Sequence, residues 1–141
     1  MARIFWDTNL FIYLFEEKQP QVEMVAALRK RMLERGDQLF TSTLTLGELL
    51  IMPMRMKLPA LEQRYLEFFR SGVVSVLPFD FKSARIFARV RQERSIHPPD
   101  AIQLSCAAAA ETNLFITNDE RLTTCNIPGI DFITSLARAP M

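Results

Sequence analysis

An α/β fold with a central, mostly parallel sheet of about four to five strands and helices on both faces is what this sequence predicts. Three observations lead there. Short apolar runs alternate with helical stretches along the whole chain, the order expected when parallel strands are joined by helical crossovers. The runs are apolar almost throughout, which suits strands covered on both faces. Two of them, "IFWDTN" and "LFITND", pass from apolar residues directly into Asp, Asn and Thr. In open α/β sheets such positions fall at the carboxyl ends of strands, where ligands bind.

Each element has a local reason. "ARIFW" at 2–6 reads as a buried strand, followed by a helix from about Asn9 to Glu17 that Thr8 or Asn9 can cap. The polar break "KQPQ" separates it from an amphipathic helix over about 21–35, which Gly36 ends. "QLFTS" is a short strand running straight into the helix "TLTLGELLIMPMRM". Pro59 opens a helix over 59–70 and Gly72 closes it, before the strand "VVSVL". Asp80 caps "FKSARIFARVRQERS", whose stripe of Ala84, Phe87, Ala88 and Arg91 is expected to mark the inner face. "PPDAIQLSCAAAAET" begins with prolines where a missing N–H does no harm. "NLFIT" is the fourth strand and "DFIT" the fifth.

At 141 residues the chain suits one domain, 1–141, able to bury a core without disulfides or structural metal. A net charge of +1 neither suggests nor excludes a nucleic-acid partner. Cys106 and Cys125 form neither a disulfide framework nor a metal-ligand spacing, and Cys106 in "LSCAAAA" reads as a packed thiol. Asp7 interrupts the first apolar run and no small-residue cleavage site follows, so a secretory signal is not expected. No run approaches the roughly 18 apolar residues of a membrane span. A reducing cytoplasm and no membrane association are the expectation.

Four carboxylates stand where apolar or helix-initiating residues belong. Asp7 ends the first strand, Glu48 shares a helical stripe with Leu44, Ile51 and Met52, Asp100 sits in the first turn after the double proline, and Asp119 follows "LFITN". Singly, Asp7 could be a turn or cap residue, Asp100 a helix-dipole partner and Asp119 an Asx turn. Asp80 reads as a plain N-cap, Asp37 and Glu120 as solvated loop residues. Together the four are more specific, because strand ends and helix starts of a parallel sheet converge on one crevice. Two such charges at 4 Å repel by about 4 kcal/mol at an effective dielectric of 20, so protons or a cation must relieve the cluster. An all-oxygen donor set favours Mg²⁺ or Mn²⁺ over Zn²⁺.

Absences narrow the chemistry. His97 is the only histidine, which excludes a two-histidine ribonuclease mechanism, and no Walker-type glycine loop or serine-nucleophile elbow is present. Metal-assisted attack of water on a phosphoryl group remains.

The strand into "DTN", the helix with "TLGELL", the segment "PPDAIQLSCA" and the strand into "TND" together resemble the PIN domain, particularly the VapC-like toxins of type II toxin–antitoxin modules. The resemblance spans nearly the whole chain. It implies a Rossmann-like sheet, an Mg²⁺- or Mn²⁺-dependent endoribonuclease, homodimers and a small cognate antitoxin. Carried over by position, Asp7 and Asp100 are the principal metal ligands, with Glu48 and Asp119 acting directly or through water. Thr8, Asn9, Thr117 and Asn118 are orienting groups. Asn118 departs from many relatives, which bears on substrate contact. The implied product carries a 5′-phosphate and a 3′-hydroxyl.

Flanking phosphates need cations, for which Arg29, Lys30, Arg31, Arg55, Lys57, Arg85, Arg89, Arg91 and Arg94 are candidates beside a reading as solvated helix faces. Met52, Met54 and Met56 read as core or dimer packing, or as an adaptable surface for an antitoxin helix. Two other classes fit less well. An aspartate-nucleophile phosphohydrolase commonly wants a second acid two residues after the first, where Asn9 stands. A non-catalytic acidic-pocket module of the phospho-receiver kind needs a mid-chain phosphoacceptor Asp and a late Lys, and neither is evident.

Overall fold

Every expected strand finds a parallel neighbour. The computed structural model describes residues 1–16 and 20–140; the expected helix end at Glu17 and the Lys18–Gln19 part of the "KQPQ" break lie outside them. Strands β1 (Arg3–Trp6), β2 (Gln38–Ser42), β3 (Val74–Leu77), β4 (Leu114–Thr117) and β5 (Phe132–Ser135) form one sheet. Its order is β3-β2-β1-β4-β5 and every pairing is parallel. Among the described residues six α-helices connect them: α1 (Thr8–Glu16), α2 (Val22–Arg35), α3 (Thr43–Arg55), α4 (Pro59–Arg70), α5 (Phe81–Val90) and α6 (Pro98–Ala109). Short 3₁₀ turns at Glu120–Thr124 and Leu136–Arg138 complete the chain.

The two-residue period of the strands divides the core. Ile4, Trp6, Leu39, Val74 and Ile116 pack on one face with Leu10, Phe11, Leu28, Met32, Leu49 and Tyr65 of α1–α4. Phe5, Phe40 and Phe115 point to the other face and meet Val90, Ala101, Leu104 and Ala108 of α5 and α6. Phe5 and Phe115 stack across the β1–β4 pair, centroids 5.0 Å apart and planes 7° from parallel. Helix α6 is buried around nearly its whole circumference, and its small residues let other backbone come close. Gly129 uses that room: at φ +103° it passes so near α6 that a Cβ there would stand 2.6 Å from the Ala108 carbonyl oxygen.

Several expectations need correction. Helix α5 stops at Val90 instead of 95, because the chain tightens into turns from Glu93 N–H to the Val90 carbonyl and from Ile96 N–H to the Glu93 carbonyl, which brings Ile96 into the core. Its inner face carries Ser83, Val90 and the half-buried Ile86 and Phe87, while Ala84 and Ala88 are exposed. Alanine stripes carry little burial energy, so the branched residues set the rotation. In α3 the buried positions are Thr45, Leu49 and Pro53; Ile51 is exposed, and Glu48 is half-buried rather than core-facing. Met54 and Met56 are exposed, with Met52 half-buried. Asp37 is no solvated loop residue: its side chain is 3 % exposed, accepts the Ala2 N–H at 2.8 Å and pairs with Arg35 at 2.9 Å. Asp80 caps α5 as expected, accepting the Ser83 N–H at 2.9 Å.

Candidate functional site

The run "IFWDTNLF" is a strand, a corner and a helix. At the corner the Asp7 N–H donates to the Ile116 carbonyl at 3.0 Å, extending the β1–β4 pairing one residue past β1. Asp7 therefore stands at the carboxyl end of the sheet between β1 and β4. The chain runs from β1 toward β2 on one side and reaches β4 only later on the other, so this is the switch point at which such sheets open a crevice. One Asp7 carboxylate oxygen accepts the Thr8 N–H at 2.8 Å and the other accepts the Thr117 hydroxyl at 2.9 Å. Thr117 in turn accepts the Asp119 N–H at 3.0 Å, tying the end of β4 to the loop beyond it.

Glu48 reaches the same corner from α3, where its carboxylate accepts the Thr8 hydroxyl at 2.6 Å. Behind this contact lies a buried polar network. Gln103, 2 % exposed, donates through Nε2 to Thr45 at 2.8 Å and stands 3.3 Å from the Thr8 hydroxyl. Its amide oxygen accepts the Ser42 hydroxyl, and Thr41 Oγ1 lies 2.8 Å from Thr45 Oγ1 and 2.9 Å from the Trp6 carbonyl. A single glutamine thus joins α6, β2, α3 and α1 beneath the carboxylates, with each of its amide atoms partnered.

Asp100 sits in the first turn of α6, and among the described residues no side-chain or backbone donor claims its carboxylate. Asp119 is held differently. Arg121 binds it through two parallel N–H donors, at 3.0 and 2.7 Å, and the Arg121 backbone N–H adds a third bond at 3.0 Å. That guanidinium keeps the Asp119 carboxyl below the usual range. Burial does the reverse to Asp7, lifting its carboxyl from 3.8 to about 6 against the pull of its hydrogen bonds, with Asp100 and Glu48 adding repulsion. Asp100 is raised too, first by burial and then by Asp119, with Arg121 and His97 opposing.

All four carboxylates line one cavity of about 220 Å³, together with Thr8, Asn9, Pro99 and Gln103. Thr117 is buried beside it as the support of Asp7, whereas Asn118 is exposed and outside the lining. Among the described residues no group of three or more His, Cys, Asp or Glu side chains forms a ready-made metal cluster. The lining nonetheless suits a hard cation: four carboxylates, oxygen donors, two acids pushed toward protonation, and, among the described residues, no cationic side chain in the lining itself, Arg121 meeting only Asp119. Gln103 and Arg121 escaped the sequence reading. Gln103 follows Asp100 by three residues, hence on the same helical face, and that spacing was the available signal. Arg121 lies in a 3₁₀ turn, where no periodicity marks a side chain's direction.

This is an open α/β domain with a carboxylate-lined crevice at its switch point. The chain belongs to the PIN domain family: residues 4–126 match the profile of the PIN domain. No curated protein sequence matches it. Among solved structures it is similar to VapBC2 from Rickettsia felis bound to a DNA fragment from their promoter, with TM-score 0.74 and 18 % identity over 94 % of this chain and 97 % of that one. It is similar as well to VapBC-5, a toxin–antitoxin system from Mycobacterium tuberculosis, with TM-score 0.65 and 21 % identity over 96 % and 99 % of the two chains. DNA-bound VapBC from Salmonella typhimurium gives TM-score 0.65 and 23 % identity over 96 % and 99 %.

Proposed function

We propose that this chain is a divalent-metal-dependent endoribonuclease and the toxin of a type II toxin–antitoxin pair. The observation that carries the reading is the convergence of Asp7, Glu48, Asp100 and Asp119, from four separate segments, on one cavity without a cation in its lining. PIN membership and the likeness to toxin–antitoxin complexes support it.

Asp7 and Asp100 are the residues to hold Mg²⁺ or Mn²⁺, with Glu48 and Asp119 contributing directly or through water. Such an ion, when bound, lowers the pKa of a water and offsets charge on the attacked phosphate. The protein's own part is preorganisation. Thr117 and the Thr8 N–H fix the two oxygens of Asp7, the Thr8 hydroxyl fixes Glu48, and Gln103 locks Thr8 and Thr45 beneath them. Asn9 at the cavity wall and Asn118 outside it offer amides to the RNA backbone. Hydrolysis by water leaves a 5′-phosphate and a 3′-hydroxyl and does not use the 2′-hydroxyl as nucleophile. The setting is a single domain over 1–141, a homodimer, with RNA as substrate and a small antitoxin as partner, in the cytoplasm. Among the described residues no helix is long and apolar enough to cross a membrane.

Structured RNAs incubated with Mn²⁺, with and without EDTA, test this directly. Wild type is expected to cleave only without EDTA, and Asp100→Asn to lose about a hundredfold or more of the rate. Equal degradation by both proteins, or indifference to EDTA, overturns the reading.

A further inference from the structure

We propose that the cavity between the end of α5 and the chain from Arg121 to Pro128 is a subsite that holds one nucleotide of single-stranded RNA beside the acidic crevice; the inference rests on the ribonuclease reading. The cavity is about 460 Å³, within the range of small-molecule sites. Ile86, Val90, Ile96 and Ile127 line it beside polar Ser95, Thr124 and Asn126, with Arg89 and Arg121 adding positive charge and Glu93 a negative one.

Continuity with the acidic crevice is the first argument. Arg121 lines this cavity while its guanidinium binds Asp119, which lines the other, so the two spaces share one wall. Cys125 lines it as well, and its thiol is raised first by burial and then by Glu93, Asp119 and Asp100, which places it within their field. A phosphodiester chain whose scissile phosphate lies over the acids reaches this cavity by crossing that one wall. Charge is the second argument. Arg89 has no ion-pair partner among the described residues, and Glu93 turns its Oε1 toward the Ser95 hydroxyl at 3.0 Å. Arg121 is 69 % exposed at its side chain. Arg121 is committed to Asp119, which leaves Arg89 as the uncommitted cation among the described residues at a hollow of mixed lining, which suits a base with a phosphate at its edge. Among the described residues no aromatic ring lines the cavity, so aliphatic side chains grip the base rather than a stacking platform.

The test uses Cys125 as a reporter inside the cavity and buried Cys106 as the internal control. In chelator, a single-stranded oligoribonucleotide is titrated by fluorescence anisotropy, and alkylation of each cysteine is followed by mass spectrometry. Bound RNA is expected to slow Cys125 alkylation severalfold, and an abasic oligomer of equal length to protect it less. Ser95→Trp, at the rim, is expected to weaken binding about tenfold. Arg89→Gln is expected to lower the slope of log affinity against log salt by about one. Unchanged Cys125 alkylation with RNA bound, equal protection by the abasic oligomer, or full affinity in Ser95→Trp overturns the subsite. So does Cys125 reactivity that falls with protein concentration alone, which assigns the cavity to a second copy of the chain. RNA that is cleaved with Mn²⁺ while Cys125 stays open removes only the subsite; RNA neither bound nor cleaved removes the ribonuclease reading with it.

Discussion

Between pH 3.8 and about 6 the folded chain keeps a proton on Asp7 that the unfolded chain has already lost. Stability therefore falls as pH rises through this window: the penalty is absent below it and fully present above it, reaching at most about 3 kcal/mol. Chemical denaturation in chelator is expected to show this decline in wild type relative to Asp7→Asn, whose profile lacks the component. Parallel profiles would show that Asp7 is solvated. Gln103 makes a second residue-scale prediction. Gln103→Leu leaves the buried Ser42 hydroxyl without its acceptor and takes one of the donors from Thr45, which keeps Thr41, and a loss of about 1–3 kcal/mol is expected in urea unfolding. The two residues also differ in how far the sequence exposed them. Asp7 was legible because a carboxylate interrupting an apolar strand has few explanations. Gln103 was not, because a lone amide among "AIQLS" declares neither its burial nor its three partners.

At the scale of elements, the Gly129 loop approaches α6 more tightly than any other described glycine approaches its surroundings. Gly129→Ala must relieve both a left-handed backbone and a 2.6 Å contact with a carbonyl, so a loss of about 1–3 kcal/mol or more is expected in the denaturation midpoint. A substitution without effect would mean that the loop can lift from α6 freely. Strands and helix starts were readable along the chain because apolar runs, prolines and caps are local. The rotation of α5 was not: Ala84 and Ala88 fit either face, and only packing against α6 selects Ser83 and Val90. The end of α5 escaped for the same reason, since Ile96 is drawn inward by a tertiary contact that no neighbour in sequence announces.

For the whole molecule, the proposed metal site makes global stability depend on the ion. Saturation of a site present only in the folded state adds RT ln(1 + [L]/Kd), about 2.7 kcal/mol at a hundredfold excess over Kd. Thermal unfolding of wild type is expected to move up by several degrees with Mn²⁺, and that of Asp7→Asn and Asp100→Asn to stay in place. A shift of equal size in all three would place the ion elsewhere.

The sheet order also has a consequence in time. Asp7 leaves the ribosome 110 residues before Thr117, the hydroxyl that orients it and the neighbour of Ile116, whose carbonyl pins the Asp7 backbone. At 5–20 residues per second the interval is roughly 5 to 20 seconds. A centre strand that waits for its second neighbour delays assembly of the crevice until synthesis has passed β4. On the proposed ribonuclease reading, the chain is thereby kept from finishing its cutting edge while it is still tethered to the machinery, and to the message, that makes it.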